Sequence, residues 1–345
     1  MISSRTTKDN MKNMLIWAVD PSQNPDELKS LIKELKTWAK HLNCSIQPVS
    51  IFPNRILSFP VELAIPWHER FENIAQKSLD RFFKKVKFEG LLSPDKIFIP
   101  SNSRRKMALE LSKYAEHKKA LIIFANTRAK KTWNPFRLGG FVEMLIAETR
   151  TPVLLLNPEA KPTIEIPSIL FPTDFSRDSK VALMNLSPWA KAFHSKTILF
   201  NQVETPTIYV TELNGYWPAE SANLDAIMKY DDQSRQKKAK QWESFLKEIN
   251  VDVKIIIQRQ KNTLSSDILN IAKKNKVSLI ALASHSGPIA QTTLGGVARD
   301  VLLQAPCPVL IFYRPKSIRK QIPELTEIVN KKYLRKAETT EAQHG

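Results

Sequence analysis

Cysteine is scarce in this chain: its 345 residues include only Cys44 and Cys307, which lie far apart and form no Cys-x-x-Cys pair. A framework of several disulfides is therefore excluded, and this usage fits a reducing compartment. Long apolar runs are also missing, because each stops well short of the ~20 residues that a membrane-spanning helix needs. The early apolar run Met14–Val19 is ended by Asp20 and no small-residue cleavage site follows it. We therefore expect no signal peptide and a cytoplasmic protein.

Recognisable catalytic and metal-binding patterns are absent as well. The six histidines show no metal-ligand spacing, and no cluster of cysteines or carboxylates accompanies them. Neither the Gly-x4-Gly-Lys-(Ser/Thr) loop nor the Gly-x-Gly-x-x-Gly fingerprint occurs. His285 stands between Ser284 and Ser286, but neighbouring residues of a loop rarely reach the geometry of a nucleophile and its base. We therefore predict no catalytic residue and no metal site, and expect that the protein is not an enzyme.

Positive charge is abundant, with a formal net charge of +18 and a pI of about 9.8. Such a balance favours weak attraction to nucleic acid or to an anionic membrane. The basic clusters are spread along the whole chain and alternate with Asp and Glu, so we expect a lysine-rich solvated surface and no specific nucleic-acid or membrane partner. An electrostatic binder of nucleic acid or of a membrane surface is kept as an alternative hypothesis.

An internal repeat organises the chain. Two apolar segments end in Asp20 and Asp174, which are 154 positions apart, and Gly139-Gly140 recurs 156 positions later as Gly295-Gly296. The stretch Thr151–Leu155 likewise matches Cys307–Ile311 at an offset of 156. Three landmarks that keep one spacing to within two residues indicate a duplication.

Each copy alternates short apolar β-branched segments with amphipathic helical segments, which is typical of βαβ units on a parallel sheet. The sequence therefore predicts an α/β fold with two tandem, doubly wound parallel-sheet domains of five strands each. We place these domains at residues 12–157 and 168–315, with a proline-containing linker at 158–167. Residues 316–345 are predicted to be a basic extension, partly disordered. The insertion at residues 204–230 is expected to be an irregular loop, with a lid or a partner surface as the alternatives.

The second copy resembles a universal stress protein domain. Residues Phe171–Ser176, which precede a helix, are similar to the first strand and turn of that family, and Leu294–Arg299 followed by Ala305–Ile311 is similar to its last helix and strand. The first copy is a diverged version. The resemblance implies a nucleotide-binding α-hydrolase-like fold. It also implies that Pro152–Leu156 and Pro308–Phe312 pair across a pseudo-two-fold axis, which makes an internal pseudo-dimer; a homodimer of whole chains and a protein partner stay open.

The resemblance also implies one cofactor site. In the nucleotide-binding branch of the family a Gly-x2-Gly-x9-Gly-(Ser/Thr) loop holds phosphates, because glycines let backbone N–H groups approach closely. Here the two leading glycines are replaced by Ala283 and Ser286, and the loop is one residue shorter. The implied site would hold ATP, with magnesium, in the second domain only. Its residues are Pro172, Thr173, Asp174, Val203, Ala283, Ser284, His285, Ser286, Gly287, Gly295, Gly296 and Val297.

Two features of this site have alternative interpretations. Asp174 would face the adenine or ribose, but an Asp at a strand-to-helix turn is also a common N-cap or Asx-turn residue; Asp20 is expected to have the structural role. The matching loop of the first copy carries bulky and basic residues, so it is either degenerate or a different anion site. These residues are Arg128, Lys130, Lys131, Trp133 and Phe136.

We therefore expect a non-enzymatic tandem universal stress protein that acts as a sensor or binding module in a stress response. Two alternatives remain at this point: an ATP-binding protein with slow ATPase or phosphotransfer activity, and the basic electrostatic binder.

Overall fold

The computed structural model describes residues 13–53, 61–127, 140–156, 165–203, 224–283 and 294–312, and strands alternate with helices throughout them. The strands of the first copy are β1 (Met14–Ala18), β2 (Ser45–Pro53), β3 (Asp95–Ile99), β4 (Ile122–Asn126) and β5 (Val153–Leu156). Its helices are α1 (Lys29–Leu42), α2 (Val61–Phe83), α3 (Arg104–His117) and α4 (Gly140–Glu148). The strands of the second copy are β6 (Ser168–Pro172), β7 (Lys196–Val203), β8 (Val253–Arg259), β9 (Leu279–Ala283) and β10 (Val309–Phe312). Its helices are α5 (Arg177–Ala192), α6 (Leu224–Glu248), α7 (Leu264–Lys274) and α8 (Gly296–Gln304).

All ten strands lie in one sheet with the order β3-β2-β1-β4-β5-β10-β9-β6-β7-β8. Within each copy every strand pairing is parallel, and the two copies meet through the antiparallel pair β5 and β10. Leu154 lies opposite Leu310, so the strand pairing expected between the copies is present. The α/β class and five parallel strands per copy are confirmed.

Two apolar cores cover the two faces of this sheet, because successive residues of a strand point to opposite sides. Leu15 and Trp17 of β1 belong to one core, together with buried residues of α1, α2, α5 and α6. Ile16 belongs to the other core, which α3, α4, α7 and α8 cover. Each core contains residues of both copies, so the sheet is covered on both faces and the copies share their interior.

Aromatic side chains join the copies on the first face. Trp38 of α1 is fully buried, and its ring centroid lies 4.9 Å from that of Phe193 and 6.2 Å from that of Trp189 in α5. The Trp38 Nε1–H donates a hydrogen bond to Oε1 of Glu34, a buried carboxyl group one helical turn earlier, at 3.0 Å. On the opposite face the Arg299 guanidinium lies 3.0 Å from the Glu143 carboxylate, which links α8 to α4.

Local chemistry fixes several helix ends. Ser103, Ser176 and Thr263 are the N-caps of α3, α5 and α7, and each side-chain oxygen accepts a backbone N–H of the first turn. Asn43 closes α1 in the left-handed region at φ 46°, which asparagine tolerates better than most residues. Among the described helices none combines the length and apolar character that a bilayer crossing requires.

The insertion of the second copy differs from the expected irregular loop. Helix α6 begins at Leu224, so residues 224–230 are helical and that part of the prediction is wrong. No proline or glycine follows Pro218 until the helix has ended, so nothing in the backbone chemistry stops the helix from starting early. Residues 204–223, most of the linker and the extension after residue 312 lie outside the described residues.

Candidate functional site

The predicted site residues gather where the strand order of the second copy reverses. From β6 the chain proceeds outward to β7 and β8, and it then returns to β9 and β10 on the other side of β6. Ligands of open α/β sheets bind outside the carboxyl ends of the strands at such a switch point. Asp174 follows β6, Val203 ends β7, Ala283 ends β9, and Gly295 precedes α8. The topology thus brings these four positions to one edge of the sheet.

The turn after β6 is held by side-chain hydrogen bonds. Asp174 Oδ1 accepts the Ser176 backbone N–H at 2.9 Å and the Ser179 hydroxyl at 2.6 Å, which makes an Asx turn. The N-cap of α5 is Ser176 and not Asp174. Phe175 adopts a positive φ of 57°, and its N–H donates to Thr173 Oγ1 at 3.0 Å while its ring packs edge-on against Trp242. Asp174 therefore has a structural role, and it is also solvent-exposed.

The first copy builds the same turn. Asp20 Oδ1 accepts the Ser22 backbone N–H at 3.0 Å and its hydroxyl at 2.6 Å, which gives Asp20 the structural role that was expected. In both copies a side chain of the next strand also clamps the residue before this Asp. Ser50 Oγ donates to the Val19 carbonyl at 3.0 Å, and Asn201 Nδ2 donates to the Thr173 carbonyl at 2.7 Å. The turn and its clamp are therefore properties of the fold.

Exposure divides the remaining predicted residues into two groups. Thr173 and Val203 are buried, with 7% and 2% of their surface exposed, and Pro172 and Ala283 are half-buried. Gly295, Gly296 and Val297 are exposed, as Asp174 is. Among the described residues, the exposed predicted positions thus lie at the Asp turn and at the start of α8. Four predicted residues, Ser284, His285, Ser286 and Gly287, lie outside the described residues, as do the five loop residues of the first copy.

The start of α8 is open in a way that the start of α4 is not. Gly295 has an ordinary φ of −58°, and a Cβ atom built on Gly295 or Gly296 meets no atom of the described residues within 4 Å. Within the described residues, which do not include 284–293, no packing contact requires glycine at either position. A Cβ built on Gly140 in the first copy would lie 2.7 Å from Arg104 Nη1, so a side chain already fills that space. The first turn of α8 holds no acidic residue, which suits an anion at its N-terminus.

A polar network borders the site on its β7 and β8 side, and the sequence analysis missed it. Arg235 of α6 donates to Asn201 Oδ1 at 3.2 Å and to Asp231 at 2.8 Å. Arg259, the last residue of β8, pairs with Asp232 at 2.6 Å. The only signal in the sequence is the polar pair Asn201-Gln202, which interrupts an otherwise apolar strand.

Gln202 leads from this network to a buried carboxylate. Its amide donates to Asp267 Oδ2 at 2.6 Å, and Asp267 also accepts hydrogen bonds from the side chain of Asn262 and the backbone of Lys261. Burial alone would raise the pKa of Asp267, but these donors outweigh it and hold the pKa below the ordinary value. Asp267 therefore acts as a fixed anionic anchor for the start of α7. The described residues contain no group of side chains suited to hold a metal ion.

In the first copy, aromatic rings occupy the place that corresponds to Val203 and Arg259 of the second copy. Val203 lies opposite Arg259 in the second copy, and the corresponding pair in the first copy is Phe52 opposite Phe98. The rings of Phe52 and Phe98 are 5.7 Å apart, and Phe71 of α2 lies 5.8 Å from Phe98. The two corners therefore differ in chemistry, although their backbones follow the same plan.

Comparison with known proteins relates this chain to one family. Residues 165–312 match the sequence model of the universal stress protein family. A universal stress protein of Methanocaldococcus jannaschii is 26% identical over 149 residues, which are 43% of this chain and 82% of that protein. The crystal structure of a universal stress protein from Archaeoglobus fulgidus has a TM-score of 0.55 at 16% identity, and the alignment covers 89% of this chain and 99% of that one. A protein of unknown function from Pseudomonas aeruginosa has a TM-score of 0.58 at 11% identity, with 93% and 98% covered. The two structures share the fold over both copies.

Proposed function

Residues 165–312 of this chain belong to the universal stress protein family, and on that premise we propose that the protein is a cytoplasmic binding module of a stress response that holds one adenine nucleotide in its second copy. The nucleotide, ATP with magnesium, would act as a ligand and not as a substrate. Its base and ribose would lie beside the Asp174 turn, and its phosphates would lie at the start of α8.

The observation that carries this proposal is the open start of α8. Inside a helix glycine costs about 0.5 to 1 kcal/mol relative to alanine, because it loses more backbone entropy on folding, whereas at the N-cap it is one of the favoured residues. Gly295 and Gly296 nevertheless stand at a place where the described residues leave room for a side chain and where φ is ordinary at Gly295. The N-cap position accounts for Gly295 by itself, and a phosphate that approaches the backbone closely would explain Gly296, since a Cβ atom would then clash with the ligand.

The asymmetry of the two copies supports a single site. At the first copy Arg104 fills the space beside Gly140, and the rings of Phe52 and Phe98 stand where the second copy has Val203 and Arg259. The first copy therefore lacks the open helix start and the polar corner of the second.

The test is to replace the two glycines with alanine in the full-length chain. The variant Gly296→Ala should fold with unchanged or slightly higher stability, by up to about 1 kcal/mol, because the unfolded chain loses freedom, whereas Gly295→Ala at the N-cap should cost up to about 1 kcal/mol. They should lose the rise in melting temperature that ATP with magnesium produces; that rise corresponds to about 2.7 kcal/mol when ATP is at 100 times its Kd. The matched control is Gly140→Ala, where only the movable end of Arg104 must shift.

Three outcomes decide the proposal. Loss of the ATP response in the α8 variants, with the response kept in Gly140→Ala, supports it. If ATP does not stabilise the unaltered protein, or if it stabilises all three variants equally, the nucleotide site is not at α8. Release of ADP from ATP by the purified protein, lost in the α8 variants, would contradict the ligand role and favour the slow-ATPase alternative.

A further inference from the structure

Seven exposed lysines gather on one surface of the first copy, which we call the lysine face. Its members are Lys29, Lys33, Lys36 and Lys40 of α1, and Lys84, Lys85 and Lys87 just after α2. In the sequence these residues belong to two separate segments that also contain Asp and Glu. Only the fold brings them together.

Helical spacing and two contacts show that the lysine face is continuous. The four lysines of α1 follow the spacing i, i+4, i+7 and i+11, which places them along one side of the helix over about 16 Å. Lys29 Nζ and Lys85 Nζ lie 3.4 and 3.6 Å from the two carboxylate oxygens of Asp26. Lys36 Nζ lies 5.3 Å from the ring centroid of Phe88, which directly follows Lys87. The end of α2 therefore lies alongside α1.

Among the described residues, the ion pairs on this surface are those that Lys29 and Lys85 form with Asp26. The one acidic residue within α1, Glu34, is buried and accepts the Trp38 indole N–H, so its carboxyl group faces the interior. Among the described residues, Lys33, Lys40, Lys84 and Lys87 make no ion pair. Like charges at i and i+4 destabilise a helix by a few tenths of a kcal/mol per pair, and a cation in the first turn, such as Lys29, opposes the helix dipole. The fold alone therefore gives no reason for this arrangement.

A second basic cluster at the end of α7 differs in this respect. Lys273 and Lys274 lie in the last turn of that helix, where the dipole favours cations, and Lys276 follows the helix end. Lys254 joins them through a 3.0 Å hydrogen bond to Asn275. The helix dipole explains this cluster. Replacing three of its lysines removes the same charge as replacing three lysines of the lysine face, so the cluster serves as a control.

We propose that the lysine face binds the phosphate backbone of double-stranded nucleic acid without sequence preference. A row of ammonium groups along a helix suits a row of phosphates, and lysine acts there as a point charge that carries no base specificity. A membrane surface fits less well, because peripheral helices normally insert apolar side chains into lipid as well. The exposed large apolar residues of the described part of the chain are Ile74, Leu92, Tyr230 and Val297, and none of them belongs to α1.

The experiment compares two triple variants of the full chain by fluorescence anisotropy with a short labelled DNA duplex of random sequence, over a range of KCl concentrations. The first variant is Lys29→Gln, Lys33→Gln and Lys36→Gln; the second is Lys273→Gln, Lys274→Gln and Lys276→Gln. Both lose three positive charges. We expect the first to bind at least about tenfold more weakly and to lower the slope of log K against log salt by about 2 to 3, because each phosphate contact contributes about 0.9 to that slope. The second should stay within about twofold of the unaltered protein.

Every outcome decides the proposal. Equal weakening in both variants would show an effect of net charge and overturn it, as would binding that does not fall with salt or no binding at low salt. Anionic phosphatidylserine vesicles form a parallel arm, and retention on them that is tighter than on the duplex would overturn the choice of partner. Circular dichroism checks that the variants fold; the substituted lysines are exposed, so melting temperatures should change little.

Discussion

Substitutions of Trp38 separate two contributions to the contact between the copies, namely the packing of its ring and the hydrogen bond of its N–H group. The side chain is fully buried, meets two aromatic rings of α5, and donates a hydrogen bond to the buried Glu34 carboxyl group. Trp38→Phe keeps an aromatic ring but removes the N–H donor. Trp38→Ala removes both the ring and the donor. The first change tests the hydrogen bond and the second tests the packing.

The structure sets the expected size of each effect. Loss of a donor to a buried carboxyl group costs about 1 to 3 kcal/mol, so Trp38→Phe should destabilise by about that amount. Emptying a buried tryptophan site costs a further 3 to 5 kcal/mol, roughly, which places Trp38→Ala at about 5 kcal/mol or more. Because a typical free energy of unfolding is about 5 to 15 kcal/mol, the alanine variant should be close to the limit of folding.

Urea unfolding followed by circular dichroism measures both effects from the shift of the midpoint at an unchanged slope. The matched control is Trp189→Phe, which reduces a ring at the same joint without touching the bond to Glu34. The control should cost less than Trp38→Phe. If Trp189→Phe costs as much as Trp38→Phe, ring size and not the hydrogen bond explains the loss. If Trp38→Ala costs less than about 1 kcal/mol, the aromatic joint does not hold the copies together.

Two further predictions concern buried ionisable groups. Burial raises the pKa of Cys44 to about 11 and that of Cys307 to about 12, the latter also through the nearby Glu34 carboxylate, so neither thiol should react with a thiol reagent at pH 8 until the chain is unfolded; rapid labelling of the native protein would contradict this. The lowered pKa of Asp267 adds stability above the unfolded pKa of about 3.9, and this stability is lost as pH falls through the lower folded value. The melting temperature of Asp267→Asn should therefore lie below that of the unaltered protein at pH 6 and approach it toward pH 2, whereas Asp252→Asn at an exposed ion pair should change little; a difference that is constant with pH would refute the assignment.

Sequence patterns predict the bounds of helices and strands well where a residue such as a glycine or an N-cap marks the end of the element. The helical spacing of residues 140–148 and 264–274 predicts two helices, and α4 and α7 have these bounds, with Thr263 as the N-cap of α7. The Pro-Val pair, which occurs at residues 152–153 and again at 308–309, marks the starts of β5 and β10. Their antiparallel pairing follows from the pseudo-two-fold axis that the family resemblance implies. The helical spacing of residues 234–248 predicts a helix there, and α6 starts ten residues earlier, at Leu224, because no proline or glycine follows Pro218 in the insertion.

Local sequence patterns could not predict the polar network around Asn201 and Arg235. Arg235 and Asn201 are 34 positions apart, and only the packing of α6 against β7 brings the guanidinium to the amide. The lysine face is a second example, since charge counting along the chain finds Asp and Glu between its members. Glu34 shows the reason. Its carboxylate counts as a surface charge in the sequence, but it is buried in the fold and does not offset the positive charge of the lysine face.

The two copies show which features serve the fold and which serve a ligand. The Asp20 and Asp174 turns and the clamps from Ser50 and Asn201 occur in both copies, so they belong to the shared fold and not to a site of one copy. Two differences among the described residues lie at the carboxyl edge and on an outer helix face. There the second copy leaves α8 open, while the first copy fills the same place with Arg104 and carries a row of lysines on α1. Because the shared turn cannot by itself confer binding, a change at Asp174 that weakens ATP binding would not identify a ligand contact. A change at Gly296 would, since the described structure gives that glycine no other reason to be there.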